Sequence, residues 1–541
     1  MQISAPAARR GGLSYKWIVA VVVIFGIFMS VLDSTIVNIA IPRLQSVFGA
    51  DINSVQWILT AYILAQGVAT PLTGFFSDRI GTKRFYLISL AAFTLGSALC
   101  GLAWSLPVLI FFRILQGAGG AFLLPLSIAL LYREFPPEER GTAMGALGIP
   151  ILLAPAFGPT VGGYIVTFAD WPLIFYINVP IGILGIILGA LLLHESQIVS
   201  NTRFDAAGFL LSAVGLTALL YGLSDASTDG WGSGKVLICL FGGILLLAVF
   251  TFVELRTARM GQQPLLDLRV FANGPFLTSN LATVIVTFAL YGGLFVVPLY
   301  LQNLRGLSAY QSGLLLLPQA FASMITVVIG GRLVDRLGVR AVVIPGLIIL
   351  AIALWLLSTI TLNTPYGTFQ AMLILRAVAL GLCIQPLSVS ALSEIRPRQL
   401  AQASAVNTTV RFIASSLGIA ILATLIQTQT KVHYSHLAER VTSASPLGEL
   451  VTHLQALFVS RGATLLAAQS SALSEISGLL HRQAYMLAIQ DAFLLSLALT
   501  IVAIIVTFFV RSNRRSVPDD APATSAPTSA DDLEAERAQY F

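Results

Sequence analysis

The sequence predicts an all-α polytopic membrane protein, and the prediction rests on composition, charge placement and an internal repeat. Hydrophobic residues make up 56% of the 541 positions and charged residues only 10%, whereas soluble proteins average about 25% charged residues. An apolar run of about 20 residues can cross a bilayer as a helix. Fourteen such runs, numbered as spans 1 to 14, cover residues 17–40, 56–76, 86–104, 107–131, 141–165, 171–193, 206–224, 235–254, 276–301, 312–333, 341–362, 367–391, 403–426 and 487–510.

The placement of basic residues predicts the orientation of the chain. If the N-terminus is cytoplasmic, and Lys235 and Arg332 at the ends of their spans are counted with the adjoining loops, 21 of the 31 Lys and Arg residues lie on the cytoplasmic side and 7 outside. The other three, Arg113, Arg376 and Arg411, lie well within spans. The cytoplasmic excess is the positive-inside bias, so the net charge of +6 indicates orientation and not a nucleic-acid partner. We therefore expect a multi-pass protein of the cell (inner or plasma) membrane with both termini cytoplasmic.

The sequence also argues against several classes of chemistry. The three cysteines all fall in predicted spans, which gives no indication of a disulfide framework. The Gly234-Lys235 pair lacks the rest of a P-loop, and no hydrolase or metalloprotease motif is present. We expect no enzyme activity, no cofactor and no bound metal.

A repeated motif predicts that the chain has two related halves. The pattern G-x-x-x-D-R-x-G-x-(K/R) begins at Gly74 and again at Gly331, 257 residues later, and Pro-Leu-Ser recurs at residues 125 and 386. Repeats of this kind in transporters place a binding site between the halves, near the membrane midplane. The predicted division is a cytoplasmic N-terminus (1–16), an N-terminal six-helix half (17–193), a linker with two inserted helices (194–275), a C-terminal six-helix half (276–510) that includes an extracytoplasmic loop (427–486), and a disordered cytoplasmic tail (511–541).

The repeated turns are candidates for a cytoplasmic gate. A glycine in each turn permits a positive φ, and each aspartate could pair with a helix N-terminus or an arginine. Topology alone would also make a short inside loop basic, but the repeated spacing favours a gate. The candidate residues are Gly74, Asp78, Arg79, Gly81, Lys83, Asp335, Arg336, Gly338 and Arg340.

Asp33 is the strongest candidate for proton coupling. It is an ionisable residue inside span 1, where a charge costs roughly 2.5–3.5 kcal/mol on insertion scales. A buried ion pair with an arginine is the structural alternative, but such pairs stabilise weakly. A site that binds either a proton or a cationic substrate would couple their movements. Ile36 and Val37 follow Asp33 on one helical face and are candidates to bind the apolar part of such a substrate.

Other polar or bend-forming residues inside spans are further candidates. Arg113 in span 4 either snorkels to the interface or is a buried cation that modulates the proton site. Asn178 either binds substrate or satisfies a neighbouring helix. Asn407 shares a helical face with Arg411, which we interpret as a structural clamp to the other half. In span 5 the alternatives are a merely kinked helix and a hinge or interdomain seam, and the density of Gly and Pro favours the second, at Pro155, Gly158, Pro159, Gly162 and Gly163.

Taken together, these motifs resemble the fourteen-span drug:proton antiporter family of the major facilitator superfamily, the branch of EmrB and QacA. The segment from Leu32 to Pro42 resembles that branch's first-span motif, and Gly74 to Arg84 resembles the superfamily's loop motif. Arg113 with Gln116-Gly117 resembles the fourth-span motif linked to proton coupling, and Gly158-Pro159 with Gly162-Gly163 resembles the antiporter motif. Ala154, Pro172 and Thr82 depart from the pattern and leave the substrate range open.

The resemblance implies the major facilitator fold, with two six-helix halves and two inserted helices. It also implies proton-coupled export of hydrophobic or cationic drug-like compounds by alternating access, with Asp33, Ile36, Val37, Gln116, Asn178 and Asn407 as candidate substrate-binding residues. A dedicated exporter of one endogenous metabolite would share every motif and remains the alternative. The expected partners are a small-molecule substrate, protons, the lipid bilayer and, if the cell has an outer membrane, a membrane-fusion adaptor protein.

Overall fold

The computed structural model describes residues 14–50, 52–195, 204–226, 229–260, 264–396, 399–441 and 445–508. Within these ranges the chain is almost entirely helical and contains no β-strand. Fourteen helical segments are long and apolar enough to cross a membrane, so the all-α polytopic fold is confirmed. Most of the predicted cytoplasmic N-terminus and the whole predicted tail, 511–541, lie outside the described residues.

Each of the fourteen helical segments overlaps one predicted span. Their helices are Tyr15–Phe48 for span 1, Ile52–Ala69 with Thr73–Ile80 for span 2, Thr82–Gly101 for span 3, Leu106–Gly120 with Leu123–Glu134 for span 4, Arg140–Phe168 for span 5, Leu173–Tyr176 with Asn178–Leu192 for span 6, Ala206–Asp225 for span 7, Gly234–Arg259 for span 8, Gly274–Leu299 for span 9, Ala309–Leu337 for span 10, Val339–Ser358 for span 11, Tyr366–Leu392 for span 12, Leu400–Glu439 for span 13 and Leu465–Phe508 for span 14.

Three spans are interrupted, and two of the interruptions lie near the functional residues. Span 2 passes through a 3₁₀ turn at Thr70–Leu72, where Pro71 cannot supply a backbone donor. Span 4 turns after Gly120, and span 6 is broken at Ile177, immediately before Asn178. The break in span 6 therefore places Asn178 at the start of a new helix inside the bundle.

Span 5 is the central contact element of the bundle. It packs along span 10 and also against span 1, and glycines make both contacts close. A Cβ at Gly145 would lie 2.9 Å from the carbonyl oxygen of Val327 in span 10, and one at Gly163 would lie 3.2 Å from the backbone of Tyr310. Small residues that allow close backbone approach are a general device of membrane helix packing.

The segment 427–486, predicted as an outer loop, is largely helical. The helix of span 13 continues to Glu439, a separate helix covers Pro446–Ser460, and the helix of span 14 begins at Leu465. His433 Nε2 lies 2.7 Å from Asp491 Oδ2, which joins the extended ends of spans 13 and 14. Residues 463–482, whose apolar pattern predicts an amphipathic helix, lie almost entirely in the first part of the long helix of span 14.

Candidate functional site

Asp33 lies at the centre of a hydrogen-bonded cluster of buried polar side chains. Its carboxylate accepts from Arg113 Nη1 at 2.5 Å, from Gln116 Nε2 at 2.9 Å and from Asn178 Nδ2 at 3.0 Å. All four side chains are 0% exposed. We call these four residues the Asp33 network. The predicted proton-coupling pair and two predicted substrate-binding residues therefore meet at one point, where spans 1, 4 and 6 converge.

Local sequence on span 4 explains how two donors reach one carboxylate. Arg113 and Gln116 are three residues apart and share a helical face, and Arg113 Nη1 also donates to Gln116 Oε1 at 2.8 Å. Gly96 in span 3 leaves room for this face, because a Cβ there would lie 2.7 Å from the Cα of Gln116. Gly117 likewise lets span 4 approach Tyr62 in span 2.

Arg113 is held inside the bundle and does not snorkel to the membrane interface. Its Nε donates to the carbonyl oxygen of Ile58 at 3.2 Å, and its guanidinium lies 3.9 Å from the ring centroid of Tyr62. Its Nη2 is buried, and the described residues offer it no acceptor. The arginine is therefore fixed by a carboxylate, an amide, a carbonyl and an aromatic face together.

Ser97 and Tyr62 belong to this site although the sequence did not identify them. Asn178 Nδ2 donates to Ser97 Oγ at 3.1 Å, and Ser97 in turn donates to the carbonyl oxygen of Phe175 at 2.9 Å. This chain fixes the orientation of Asn178 beside the helix break. A serine or tyrosine inside an apolar span is common, so neither carries a signal that separates it from ordinary packing residues.

The ion pair between Asp33 and Arg113 is fully buried. An ion pair that is fully out of water is charge-balanced, and removing one partner leaves an uncompensated buried charge that costs about 3–5 kcal/mol. Protonation of Asp33 would remove the anion that faces Arg113, and no second carboxylate among the described residues is bonded to this arginine. Loss of the Asp33 charge would therefore leave the buried Arg113 guanidinium without a carboxylate partner.

Ile36 and Val37, the predicted apolar part of the substrate site, are fully buried in the packed interior. Both are 0% exposed. Ile36 contacts span 5 at Gly162, where a Cβ would lie 2.8 Å from its Cγ1, and Thr35 similarly contacts Gly158. These glycines belong to the motif predicted as a hinge or seam. The structure brings that motif against span 1 within one turn of Asp33.

Two further residues of the span 5 motif, Pro159 and Gly163, face span 10. Gly163 lies against Tyr310, and Pro159 lies against Gly313, where a Cβ would be 3.0 Å from its carbonyl carbon. Pro155 instead lines a cavity between spans 5, 9, 10 and 12. Span 5 thus contacts the span that carries Asp33 with one face and span 10 with another.

Asn407 and Arg411 lie apart from the Asp33 network. Asn407 Nδ2 donates to Asn280 Oδ1 in span 9 at 2.9 Å. Arg411 donates to Ser388 Oγ and to the carbonyl oxygen of Ile384 at 3.3 Å, both in span 12. The expected clamp therefore runs to a neighbouring span and not to the other half, because this face of span 13 is turned toward span 12.

The candidate gate is engaged at one of its two repeated turns. The Asp335 carboxylate accepts from the backbone N–H groups of Gly141 at 2.7 Å and Thr142 at 2.8 Å, and from the Thr142 hydroxyl at 2.6 Å. It thereby caps the start of span 5, as expected for an anion at a helix N-terminus. The equivalent Asp78 has no hydrogen bond to any described residue, although its neighbour Gly74 packs against Gln402 at the start of span 13.

The remaining gate residues form the turns themselves. Gly81 and Gly338, at equivalent positions in the repeat, have φ values of +97° and +84°, a conformation that favours glycine. Lys83 donates from Nζ to the carbonyl oxygen of Ala190 at 2.9 Å. Arg79 and Arg336 have exposed side chains, and Arg340 is partly buried.

A comparison with family models decides which family the chain belongs to. The model described as Major Facilitator Superfamily matches residues 23–419. The chain belongs to the major facilitator superfamily. This membership places it among membrane transporters and not among enzymes.

Relatives of similar length support this membership. The chain is 33% identical to the uncharacterized MFS-type transporter YhcA of Bacillus subtilis (strain 168), over 92% of this chain and 93% of YhcA. It is 32% identical to the multidrug resistance protein B homolog of Mycobacterium tuberculosis (strain ATCC 25618 / H37Rv), over 74% of each chain. It is 30% identical to the lincomycin resistance protein LmrB of Listeria innocua, over 80% of this chain and 91% of LmrB.

Solved structures support the fold alone. A double-tryptophan mutant of XylE matches with a TM-score of 0.60 at 14% identity, over 92% of this chain and 96% of XylE. The human organic anion transporter MFSD10 matches with a TM-score of 0.57, also at 14% identity, over 90% and 99% of the two chains. The bundle of this superfamily member is thus shared with transporters of very different sequence.

Proposed function

We propose that this superfamily member is a proton-coupled efflux transporter that exports hydrophobic or cationic drug-like compounds by alternating access. The observation that carries the proposal is the fully buried Asp33 network, since no structural need explains a carboxylate at this depth as well as proton coupling does. Export is supported by relatives named for multidrug and lincomycin resistance.

The proposed cycle begins at the Asp33 network. A proton on Asp33 breaks its ion pair with Arg113, and spans 1 and 4 shift to restore acceptors to the guanidinium. Span 5 moves with span 1 because Gly158 and Gly162 hold the two helices in backbone contact. Since span 5 also packs along span 10, this shift changes the contact across the bundle and the exposure of the cavity beside it.

The gate supplies the second part of alternating access. We propose that the end carrying Asp335 is cytoplasmic, as the charge distribution predicts, and that its contact with Gly141 and Thr142 closes this side. Releasing that contact would let substrate enter from the cytoplasm or the inner leaflet. Reforming it would direct the substrate outward.

Two features bear on the substrate class. The cavity between spans 5, 9, 10 and 12 is lined mainly by apolar side chains, which supports hydrophobic compounds. A cationic compound would have to replace Arg113 at Asp33, which needs the network to open. Two of the relatives are named for multidrug resistance and for lincomycin resistance, and these names favour a range of drug-like compounds over a single metabolite.

Gradient-driven transport in proteoliposomes tests the proposal. With an acidic interior, wild-type protein is expected to accumulate Nile red or ethidium, probes of the hydrophobic and cationic classes, and to lose this uptake when the gradient is collapsed. Asp33→Asn is expected to reduce gradient-driven uptake to the level of empty vesicles. Glu254→Gln, which alters a buried carboxyl in span 8, is the matched control and is expected to retain uptake. Full uptake by Asp33→Asn would contradict the proposal.

A further inference from the structure

A second charged feature lies in the cavity between spans 5, 9, 10 and 12, apart from the Asp33 network. The cavity is narrow and partly open in this conformation, with a volume of about 40 Å³, so a ligand larger than a few water molecules enters it only when the bundle opens further. Its position in the middle portions of spans 5, 10 and 12 places it near the centre of the bundle. It is lined by apolar side chains together with Gln319, Ser323 and Arg376.

Arg376 is buried in the wall of this cavity. Its side chain is 3% exposed, and its Nη2 donates to the carbonyl oxygens of Ala289 and Leu290 in span 9, each at 3.0 Å. Its Nε is buried, and the described residues offer it no acceptor. The guanidinium is therefore held in place while part of its donor capacity is unused.

Gly293 fixes where the guanidinium lies. A Cβ at this position would overlap the guanidinium group, at 2.7 Å from Nη1. Span 9 thus leaves a space that only glycine provides, and its carbonyls at residues 289 and 290 orient the group within that space. A guanidinium fixed in this way could bind a ligand without reorganising, and it also ties span 12 to span 9.

The charge of Arg376 is not balanced by a carboxylate. No acidic residue lines the cavity, and Arg376 forms no ion pair with any described residue. Arg113, by comparison, is paired with Asp33 at 2.5 Å. Hydrogen bonds to carbonyls orient an arginine but leave its net charge, and an unpaired buried charge costs several kcal/mol. A bound anion would supply the missing charge.

The remaining lining describes the rest of the ligand. The apolar side chains on spans 5, 9 and 10, among them Leu152, Leu290 and Leu316, would accommodate an apolar body. The Gln319 side chain has no hydrogen-bond partner among the described residues and adds a neutral donor to the same wall. The cavity therefore combines one cation, one amide and an apolar surface.

We infer that this cavity binds amphipathic organic acids, with Arg376 as the counter-ion of the ligand's anionic group and the leucine-lined wall as the site of its apolar part. The inference rests on the proposed transport function and adds a substrate class to it. Span 5 links the two sites, because Pro155 lines the cavity while Gly158 contacts span 1 beside Asp33. Protonation of Asp33 would thereby alter the affinity for the acid.

Binding of matched probes to the full-length protein in phosphatidylcholine nanodiscs tests the inference. The probes are 4-(1-pyrenyl)butyrate, its primary amide and 4-(1-pyrenyl)butylamine, which share one apolar body and carry negative, zero and positive charge. Wild-type protein is expected to bind the acid at least tenfold more tightly than the amide, and the amine most weakly, since a hydrogen bond to a charged group contributes roughly one to two orders of magnitude in affinity. Equal affinities for the three probes would overturn the inference.

Variants separate ligand binding from a purely structural role. Arg376→Gln is expected to weaken acid binding by about tenfold or more and amide binding by less than about threefold, so retained amide binding also shows that the protein is folded. Arg376→Lys is expected to keep the preference for the acid, and Gly293→Ala to reduce it by displacing the guanidinium. Arg411→Gln is the matched control, because Arg411 is a membrane arginine that does not line the cavity. Retained acid preference in Arg376→Gln, or its loss in Arg411→Gln, would contradict the inference.

These binding measurements use no pH gradient, so they are independent of proton coupling. If gradient-driven transport fails while the acid preference holds, the proposed function is wrong and the binding site stands. If transport succeeds and the acid preference is absent, the binding site is wrong and the proposed function stands.

Discussion

At the scale of the residue, the Asp33 network shows how four separate sequence signals form one site. Asp33, Arg113, Gln116 and Asn178 were all candidates from the sequence, but they were assigned to different roles. Their mutual hydrogen bonds could not be predicted, because spans 1, 4 and 6 meet only through tertiary packing. The same limit applies to Arg376, for which no local pattern in the sequence predicts a task.

The geometry at Arg113 predicts that lysine cannot replace it. The guanidinium donates to Asp33, Gln116 and the carbonyl of Ile58, whereas an ammonium is a point charge without the planar fork. Arg113→Lys is expected to reduce gradient-driven transport roughly tenfold or more, since a hydrogen bond to a charged group contributes about 1.5–3 kcal/mol. Arg482→Lys, in the first part of the long helix Leu465–Phe508, is expected to stay near the wild-type rate. Wild-type transport by Arg113→Lys would show that charge alone suffices.

At the scale of the element, hydropathy predicted all fourteen spans because a lipid-facing helix must be apolar along its length. The continuity of the long helices of spans 13 and 14 beyond their apolar runs was not predicted, since polar residues remove the hydropathy signal there. The break at Ile177 was equally hidden in an apolar run. The Gly and Pro content of span 5 did predict a close seam, and the structure shows which helices form it.

The contact between spans 5 and 1 predicts a specific steric effect. A Cβ at Gly158 would lie 2.8 Å from the Cβ of Thr35, and overpacking of this kind costs about 1–3 kcal/mol. Gly158→Ala is expected to lower the melting temperature in detergent and to reduce gradient-driven transport about tenfold. In span 8, a Cβ at Gly242 would meet no heavy atom within 4 Å, so Gly242→Ala is the control and is expected to leave both measurements unchanged. Equal effects of the two substitutions on melting temperature and transport would contradict the close contact between spans 1 and 5.

At the scale of the whole molecule, the repeat in the sequence predicted equivalent turns, and Gly81 and Gly338 share a positive φ. The sequence could not predict that one turn is engaged and the other is not. Asp335 caps the start of span 5, whereas Asp78 at the equivalent position has no such contact among the described residues, and this difference arises from tertiary packing.

This asymmetry predicts unequal effects of two equivalent substitutions. Asp335→Asn removes the negative charge at the start of span 5. If this weakens the contact by about 1.4 kcal/mol, the equilibrium shifts roughly tenfold toward the state that is open on that side. Asp78→Asn is expected to shift it less. Labelling of Ser323→Cys by a membrane-impermeant maleimide, in a background without the three native cysteines, measures the opening. A larger shift in Asp78→Asn would contradict this assignment of the gate.

The most direct test of the central claim measures proton movement together with substrate movement. In proteoliposomes that contain a pH-sensitive dye, adding substrate to wild-type protein is expected to drive protons in the direction opposite to the substrate. With Asp33→Asn, exchange of a labelled for an unlabelled neutral hydrophobic substrate is expected to continue without proton movement, because the apolar cavity is separate from the Asp33 network. Substrate-driven proton movement at the wild-type rate in Asp33→Asn would contradict the assignment of Asp33 as the proton-coupling residue.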